Sequence, residues 1–91
     1  MSIDRICINS IDQNEAEYIE IARSIWENPE IGYKEVHASG LYVETLKKHG
    51  FQVELGAHGV PTAVKAVWGK GYPSIGFCAE YDALPGLSQK V

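Results

Sequence analysis

The sequence predicts an α/β fold in which two helices are followed by three strands, as at the start of a layered domain. Three observations support this order. Apolar residues recur at helical spacing in the first half of the chain, the period changes to two after Gly50, and residues 74–81 form a nearly continuous apolar run. These patterns indicate helices packed against a sheet whose third strand is covered on both faces.

The first helix is predicted to begin at a capping box around Ser10 or Asp12, with residues 1–9 as a short irregular arm. Its apolar stripe follows at helical spacing and is expected to face the sheet: Tyr18, Ile21, Ala22 and Ile25. The helix should end before Pro29, because a proline ring excludes the preceding residue from the α region.

The second helix is predicted to begin near Tyr33 or Lys34, with Glu35 in its first turn, where the helix dipole favours an anion. Its expected buried face consists of Val36, Ser39, Gly40, Val43 and Leu46. Basic residues at 47–49 suit the last turn, and Gly50 is expected to adopt the left-handed conformation that ends many helices.

Three strands are expected after the second helix. Residues 51–55 alternate strictly between apolar and polar, residues 62–68 form a second strand, and residues 74–81 read as a buried central strand. A central strand needs a neighbour at each edge, and an unpaired one is prone to aggregate. We therefore expect residues 1–91 to be a truncated N-terminal portion of a catalytic domain.

Composition and charge exclude several classes of protein. A net charge of −4 and a pI near 5.2, with no basic stripe, argue against a nucleic-acid partner. The first ten residues contain no apolar signal-peptide core, and no apolar run approaches the ~18 residues of a membrane span. We expect a cytoplasmic protein without a membrane partner, whose Cys7 and Cys78 are reduced thiols.

Glu80 and Asp82 are the sharpest candidates for chemistry. They lie two residues apart, so both side chains project from one face of an extended strand, at the carboxyl end where ligand sites form in α/β sheets. Such a pair can bind a metal, orient a metal-ligating histidine, or act as acid and base. The alternative is that both carboxylates are simply solvated at a strand end.

The histidines give no local metal site. His37, His49 and His58 stand in none of the spacings typical of zinc ligands, so we expect surface or capping roles. His58, in a glycine-rich loop, is the strongest exception. Gly69-Lys70-Gly71 lacks the Ser or Thr of a phosphate-binding loop and is read as a turn.

Two segments resemble a known family. Residues 26–35, WENPEIGYKE, are similar to the NPE-x-G-x-x-E segment of the aminoacylase/carboxypeptidase superfamily of zinc peptidases. Residues 80–85, EYDALP, resemble its first active-site strand end, where many members read His-x-Asp-x-x-Pro. The longer stretch 79–89 looks like the aminobenzoyl-glutamate utilisation branch of the amidohydrolases. The resemblance covers roughly residues 10–91.

The resemblance implies a catalytic domain with a mixed sheet between helices, two divalent metals (zinc or manganese), and a smaller dimerisation domain inserted later and absent here. A metal-activated water would attack an amide carbonyl, with a Glu as general base. The implied substrates are N-acyl or N-aroyl amino acids, with p-aminobenzoyl-glutamate favoured. The full-length protein would be a homo-oligomer or hetero-oligomer.

Only part of the family's site can be transferred to this chain. Asp82 matches the aspartate that orients a metal-ligating histidine, and Glu80 stands where many members have a metal-binding His. In the acyl-amino-acid branch an acidic residue also occupies that place, and later Cys, His and Glu residues hold the metals. We expect those ligands and the general base to lie beyond Val91, so that this piece alone binds no metal and is inactive.

Two other functions remain open on the sequence alone. One is a small non-catalytic α/β interaction module that associates with itself or a partner through an exposed strand edge. The other is a small-molecule binding domain without catalysis.

Overall fold

The computed structural model describes residues 2–83 of the chain. Its elements, in chain order, are α1 (Ile3–Glu27), α2 (Val36–Lys48), β1 (Gln52–Leu55), a 3₁₀ turn (Ala57–Gly59) and β2 (Val64–Val67). This mixture of helices and a small sheet agrees with the predicted α/β class.

Helix α1 is longer than expected. It begins at Ile3, so the irregular arm predicted for residues 1–9 and the start at Ser10 or Asp12 are wrong. The physical reason is an earlier cap, because the Ser2 side chain accepts a hydrogen bond from the Arg5 N–H at 3.2 Å. The predicted end is confirmed, since the last helical residue is Glu27.

Helix α2 begins at Val36, later than predicted, with Glu35 as its N-cap residue. Tyr33 has a φ of +68°, which is incompatible with a right-handed helix and explains why the helix cannot start there. The buried residues of α2 are Ala38 and Ser39. The expected buried face is thus confirmed at Ser39 and wrong at two positions that are exposed: Val36 and Gly40.

The end of α2 matches the prediction. Gly50 has a φ of +88°, and its N–H bonds to the Lys47 carbonyl at 3.1 Å. The Phe51 N–H bonds to the Leu46 carbonyl at 3.0 Å, which completes a Schellman motif. This motif turns the chain directly from α2 into β1.

The sheet contains two antiparallel strands. The register pairs Gln52 with Val67 and Leu55 with Val64, so the first two predicted strands are confirmed with shorter bounds. Helix α2 packs against both strands. The buried residues of the described chain are small and few: Ala38, Ser39, Ala57 and Thr62.

The third predicted strand is absent from the described chain. Residues 74–81 belong to no strand, and Ile75 and Phe77 are 78% and 92% exposed. Cys78 is exposed and free, as is Cys7, so the cysteines are unpaired as expected but Cys78 is not buried. The reason is that β1 and β2 bond only to each other, and no described segment pairs with the outer edge of either strand. The prediction of a doubly covered central strand is wrong for this structure.

The end of the second motif lies outside the described residues. The family-like stretch 79–89 extends into residues 84–91, which the structure does not describe.

Candidate functional site

Glu80 and Asp82 lie on the same open groove, which has a volume of about 380 Å³. Both carboxylates are exposed. The groove is formed by the loop before α2, the start of β2 and the segment that bears the two carboxylates. Its lining residues are Gly32, Tyr33, Glu35, Val60, Thr62, Ala63, Val64, Ala79, Glu80, Tyr81 and Asp82. The structure therefore brings the predicted pair together, while the catalytic role of the pair stays a prediction.

Tyr81, between the two carboxylates, is anchored to the folded body. Its hydroxyl donates a hydrogen bond to the backbone carbonyl of Thr62. Its ring meets the ring of Tyr42 edge-on, with centroids 5.0 Å apart and an interplanar angle of 89°. Partial burial, with the nearby Glu35 carboxylate, raises the pKa of the Tyr81 hydroxyl. Tyr81 therefore stays protonated and able to donate at neutral pH.

A second contact holds the chain just after Asp82. The Ala83 N–H donates a hydrogen bond to the backbone carbonyl of Glu30 at 2.7 Å. The contacts of Tyr81 and Ala83 lie on either side of Asp82, so the backbone at Asp82 is held from both chain directions. This end of the chain is thereby attached to the loop that precedes α2.

Glu30 also caps α2 from outside the helix. Its two carboxylate oxygens accept the backbone N–H groups of His37 and Ala38, both at 2.9 Å. Partial burial acts to raise the pKa of Glu30, but these N–H donors outweigh it and the pKa is lowered overall. The N-cap residue Glu35 makes no side-chain cap bond; its Oε1 instead accepts the Thr62 hydroxyl at 3.4 Å.

Sequence reasoning missed both Glu30 and Tyr81. A capping box has fixed local spacing, whereas Glu30 reaches a helix that starts six positions later through a folded loop. Tyr81 read only as part of an apolar run. Neither residue stands in a periodic pattern that would reveal its contact. The NPE segment includes Glu30 but does not indicate which groups its carboxylate binds.

Two of the three histidines help to join the helices. His37 Nε2 lies 2.8 Å from Ser24 Oγ of α1. His49 Nε2 lies 2.5 Å from a carboxylate oxygen of Glu17, which also pairs with Lys48. The hydrogen bonds from Lys48 and His49 lower the pKa of Glu17.

These contacts agree with the surface or capping roles that the sequence predicted for His37 and His49. His58 was the strongest exception, but it lies in the 3₁₀ turn at a φ of +53° and does not line the groove of the carboxylates.

The described residues do not fit a complete metal site. Within residues 2–83, no group of three or more His, Cys, Asp or Glu side chains is arranged to hold an ion. In the same range, no helix is both long and apolar enough to cross a membrane. The groove thus presents exposed carboxylates without a ligand set of its own.

Comparison with known proteins shows close sequence similarity to several hydrolases. The chain is 35% identical over 88 residues to a subunit of the p-aminobenzoyl-glutamate hydrolase of Escherichia coli, covering 97% of this chain and 18% of that protein. It is 44% identical over 79 residues to thermostable carboxypeptidase 2 of Saccharolobus solfataricus, covering 85% of this chain and 20% of that protein.

A third relative is hippurate hydrolase of Campylobacter jejuni, which is 37% identical over 73 residues, or 78% of this chain and 18% of that protein. No protein-family model matches the chain. The chain spans about a fifth of the length of these curated relatives.

Proposed function

Because this chain belongs to the aminoacylase/carboxypeptidase superfamily of peptidases, we propose that it forms the N-terminal part of the catalytic domain of a longer metal-dependent amidohydrolase. The similarity over nearly the whole chain supports this, as does the small fraction of each relative that it spans. The names of these relatives all describe hydrolases or peptidases.

The proposed substrates are N-acyl or N-aroyl amino acids, with p-aminobenzoyl-glutamate as the favoured candidate. The names of two relatives, a p-aminobenzoyl-glutamate hydrolase and a hippurate hydrolase, support an aroyl amide. The reaction class is hydrolysis of an amide bond next to an amino acid.

The placement of Glu80 and Asp82 supports a role at the active site. Both carboxylates are exposed on one groove, while Tyr81 between them is anchored in the body. A carboxylate held in this way can accept a histidine ring N–H and fix which ring nitrogen faces a metal. We assign this positioning role to Asp82, and an acidic role at the same cleft to Glu80.

The remaining parts of the site are proposed to lie in the rest of the longer protein. Because the described residues do not hold a complete ligand set, we propose that the ligands for two divalent metals, zinc or manganese, and the general base lie in other parts of the longer protein. When bound, such metals supply an activated water. The longer enzyme is proposed to work in the cytoplasm as a homo-oligomer or hetero-oligomer, and the 91-residue chain alone is proposed to be inactive.

One observation favours an alternative function, that of a non-catalytic interaction module. In the described chain, β1 and β2 each have a neighbour on one side only, so each leaves a strand edge open. A non-catalytic module could associate through such an edge. Light scattering of the purified 91-residue chain tests this alternative function. A defined dimer favours association through a strand edge, and a stable monomer contradicts it.

An amide-hydrolysis assay tests the proposed function. The longer protein that contains this chain is incubated with hippurate, p-aminobenzoyl-glutamate and N-acetyl amino acids, with zinc or manganese added. We expect release of the free amino acid, and its loss after treatment with a chelator. Failure to hydrolyse any of these amides in the presence of either metal would contradict the proposal.

A further inference from the structure

We propose that Tyr81, supported by the backbone of Glu30, is a positioning residue that determines the direction in which Glu80 and Asp82 face the groove. This inference rests on the proposed function, because it concerns the geometry of the same carboxylates. It adds a residue that is neither acidic nor a metal ligand to the working parts of the site.

The segment after β2 is exposed at first and then attached to the folded body at Tyr81. Tyr72 and Phe77 are 100% and 92% exposed, so the chain after β2 runs over the surface. The chain returns to the body at Tyr81, whose side chain reaches the Thr62 carbonyl and the Tyr42 ring. Attachment therefore occurs beside the two carboxylates.

Tyr81 contacts two parts of the folded body. Tyr42 belongs to α2, while Thr62 is 7% exposed and lies just before β2. A side chain held by a helix and by the backbone near a strand has little rotational freedom. Tyr81 thus holds its own segment in a fixed position relative to α2 and β2.

Glu80 and Asp82 are the direct chain neighbours of Tyr81, and both are exposed on the groove. Because the Tyr81 side chain is held against the folded body, the backbone on either side of it is held at the same place. The phenol therefore fixes where the two carboxylates stand on the groove.

Glu30 provides a second fixed point beside Asp82. Glu30 binds the N-terminus of α2 with its carboxylate and the Ala83 N–H with its backbone carbonyl. Two anchors, at Tyr81 and Ala83, restrict rotation of the residue between them. The position of Asp82 is thus defined relative to α2 rather than by its own contacts.

Hydrogen exchange at a single amide tests the positioning role in the 91-residue chain. The variant Tyr81→Phe keeps the ring and removes the hydroxyl, and we expect the Ala83 amide to exchange about tenfold faster, the effect of losing one hydrogen bond. Tyr72→Phe, at a fully exposed tyrosine of the same segment, is the matched control and should leave the rate unchanged.

A second pair of variants tests the contribution of Glu30. Glu30→Ala removes both cap bonds and should also speed exchange at Ala83, whereas Glu30→Gln keeps an accepting oxygen and should restore part of the protection. An unchanged rate at Ala83 in Tyr81→Phe and in Glu30→Ala would overturn the inference, even if the proposed function holds.

Kinetics of the longer hydrolase distinguish positioning from simple support of the fold. Tyr81→Phe should lower kcat about tenfold and change KM less than about twofold, because the hydroxyl acts on the geometry of the reacting groups. Equal kcat in the variant and the parent enzyme would refute positioning. A parent enzyme that hydrolyses no amide would instead refute the proposed function and leave the exchange result standing.

Discussion

The backbone N–H of Ala38 donates a hydrogen bond of 2.9 Å to a carboxylate oxygen of Glu30, eight residues earlier in the chain. The other oxygen of the same carboxylate accepts the His37 N–H. Two of the free N–H groups at the start of α2 are thus satisfied by a residue of the preceding loop. This contact joins the helix to the loop that also holds the Ala83 amide.

Removing the cap should destabilise the protein. We expect Glu30→Ala to lower the free energy of unfolding by about 1 kcal/mol, as for loss of an N-terminal cap. Glu27→Ala is the matched control, because Glu27 is an exposed acidic residue at the end of α1. Urea unfolding of both variants measures the difference, and equal midpoints would show that the cap contributes nothing.

The cap should also make stability depend on pH. The pKa of Glu30 is lowered from 4.5, so the ionised carboxylate contributes stability above that value, and this contribution disappears as the pH falls through the lower pKa of the folded state. Glu30→Gln should flatten this part of the profile. Unfolding followed from neutral to acid pH, with Glu27→Gln alongside, provides the test; identical slopes in parent and Glu30→Gln would contradict it.

Two glycine substitutions should change stability in opposite directions. Gly50→Ala places a side chain at a φ of +88° and should cost about 1 kcal/mol, while the nearest neighbour, Trp68, is at an ordinary contact distance of 3.7 Å. Gly40 lies inside α2 with nothing within 4 Å of an added Cβ. Gly40→Ala should therefore stabilise by about 0.5–1 kcal/mol. Thermal unfolding decides the signs.

Cysteine reactivity should report whether the apolar segment is covered. In the 91-residue chain Cys78 is exposed, so it should react with an alkylating reagent under native conditions about as fast as Cys7. In the proposed longer hydrolase we expect protection of Cys78, because its apolar neighbours Ile75 and Phe77 would then be buried. Peptide mass spectrometry after a short pulse measures both. Slow labelling in the short chain would contradict the exposed placement.

Local signals were sufficient for part of the fold. Pro29 ended α1 and Gly50 ended α2 because each acts on its own backbone and needs no distant partner. The start of α1 was misjudged because Ser10 and Asp12 offered a capping pattern closer to the apolar stripe than Ser2.

Signals that depend on distant partners were not sufficient. The apolar run at 74–81 indicates a segment suited to burial, but a strand also requires neighbours, and the described chain supplies none. The spacing of Glu80 and Asp82 placed them on one groove, yet it could not reveal the anchor at Tyr81 or the cap from Glu30. Those contacts depend on loop conformation, which has no periodic pattern.

Substitution of Asp82 in the proposed longer hydrolase tests most directly whether this groove belongs to an active site. Asp82→Asn should reduce kcat/KM for amide hydrolysis by about 10- to 100-fold, as expected for loss of a carboxylate that orients a metal ligand. Asp12→Asn, on the exposed surface of α1, should leave kcat/KM unchanged. If the Asp82 variant instead hydrolyses the same amide as fast as the parent enzyme, the carboxylates of this groove do not belong to the active site.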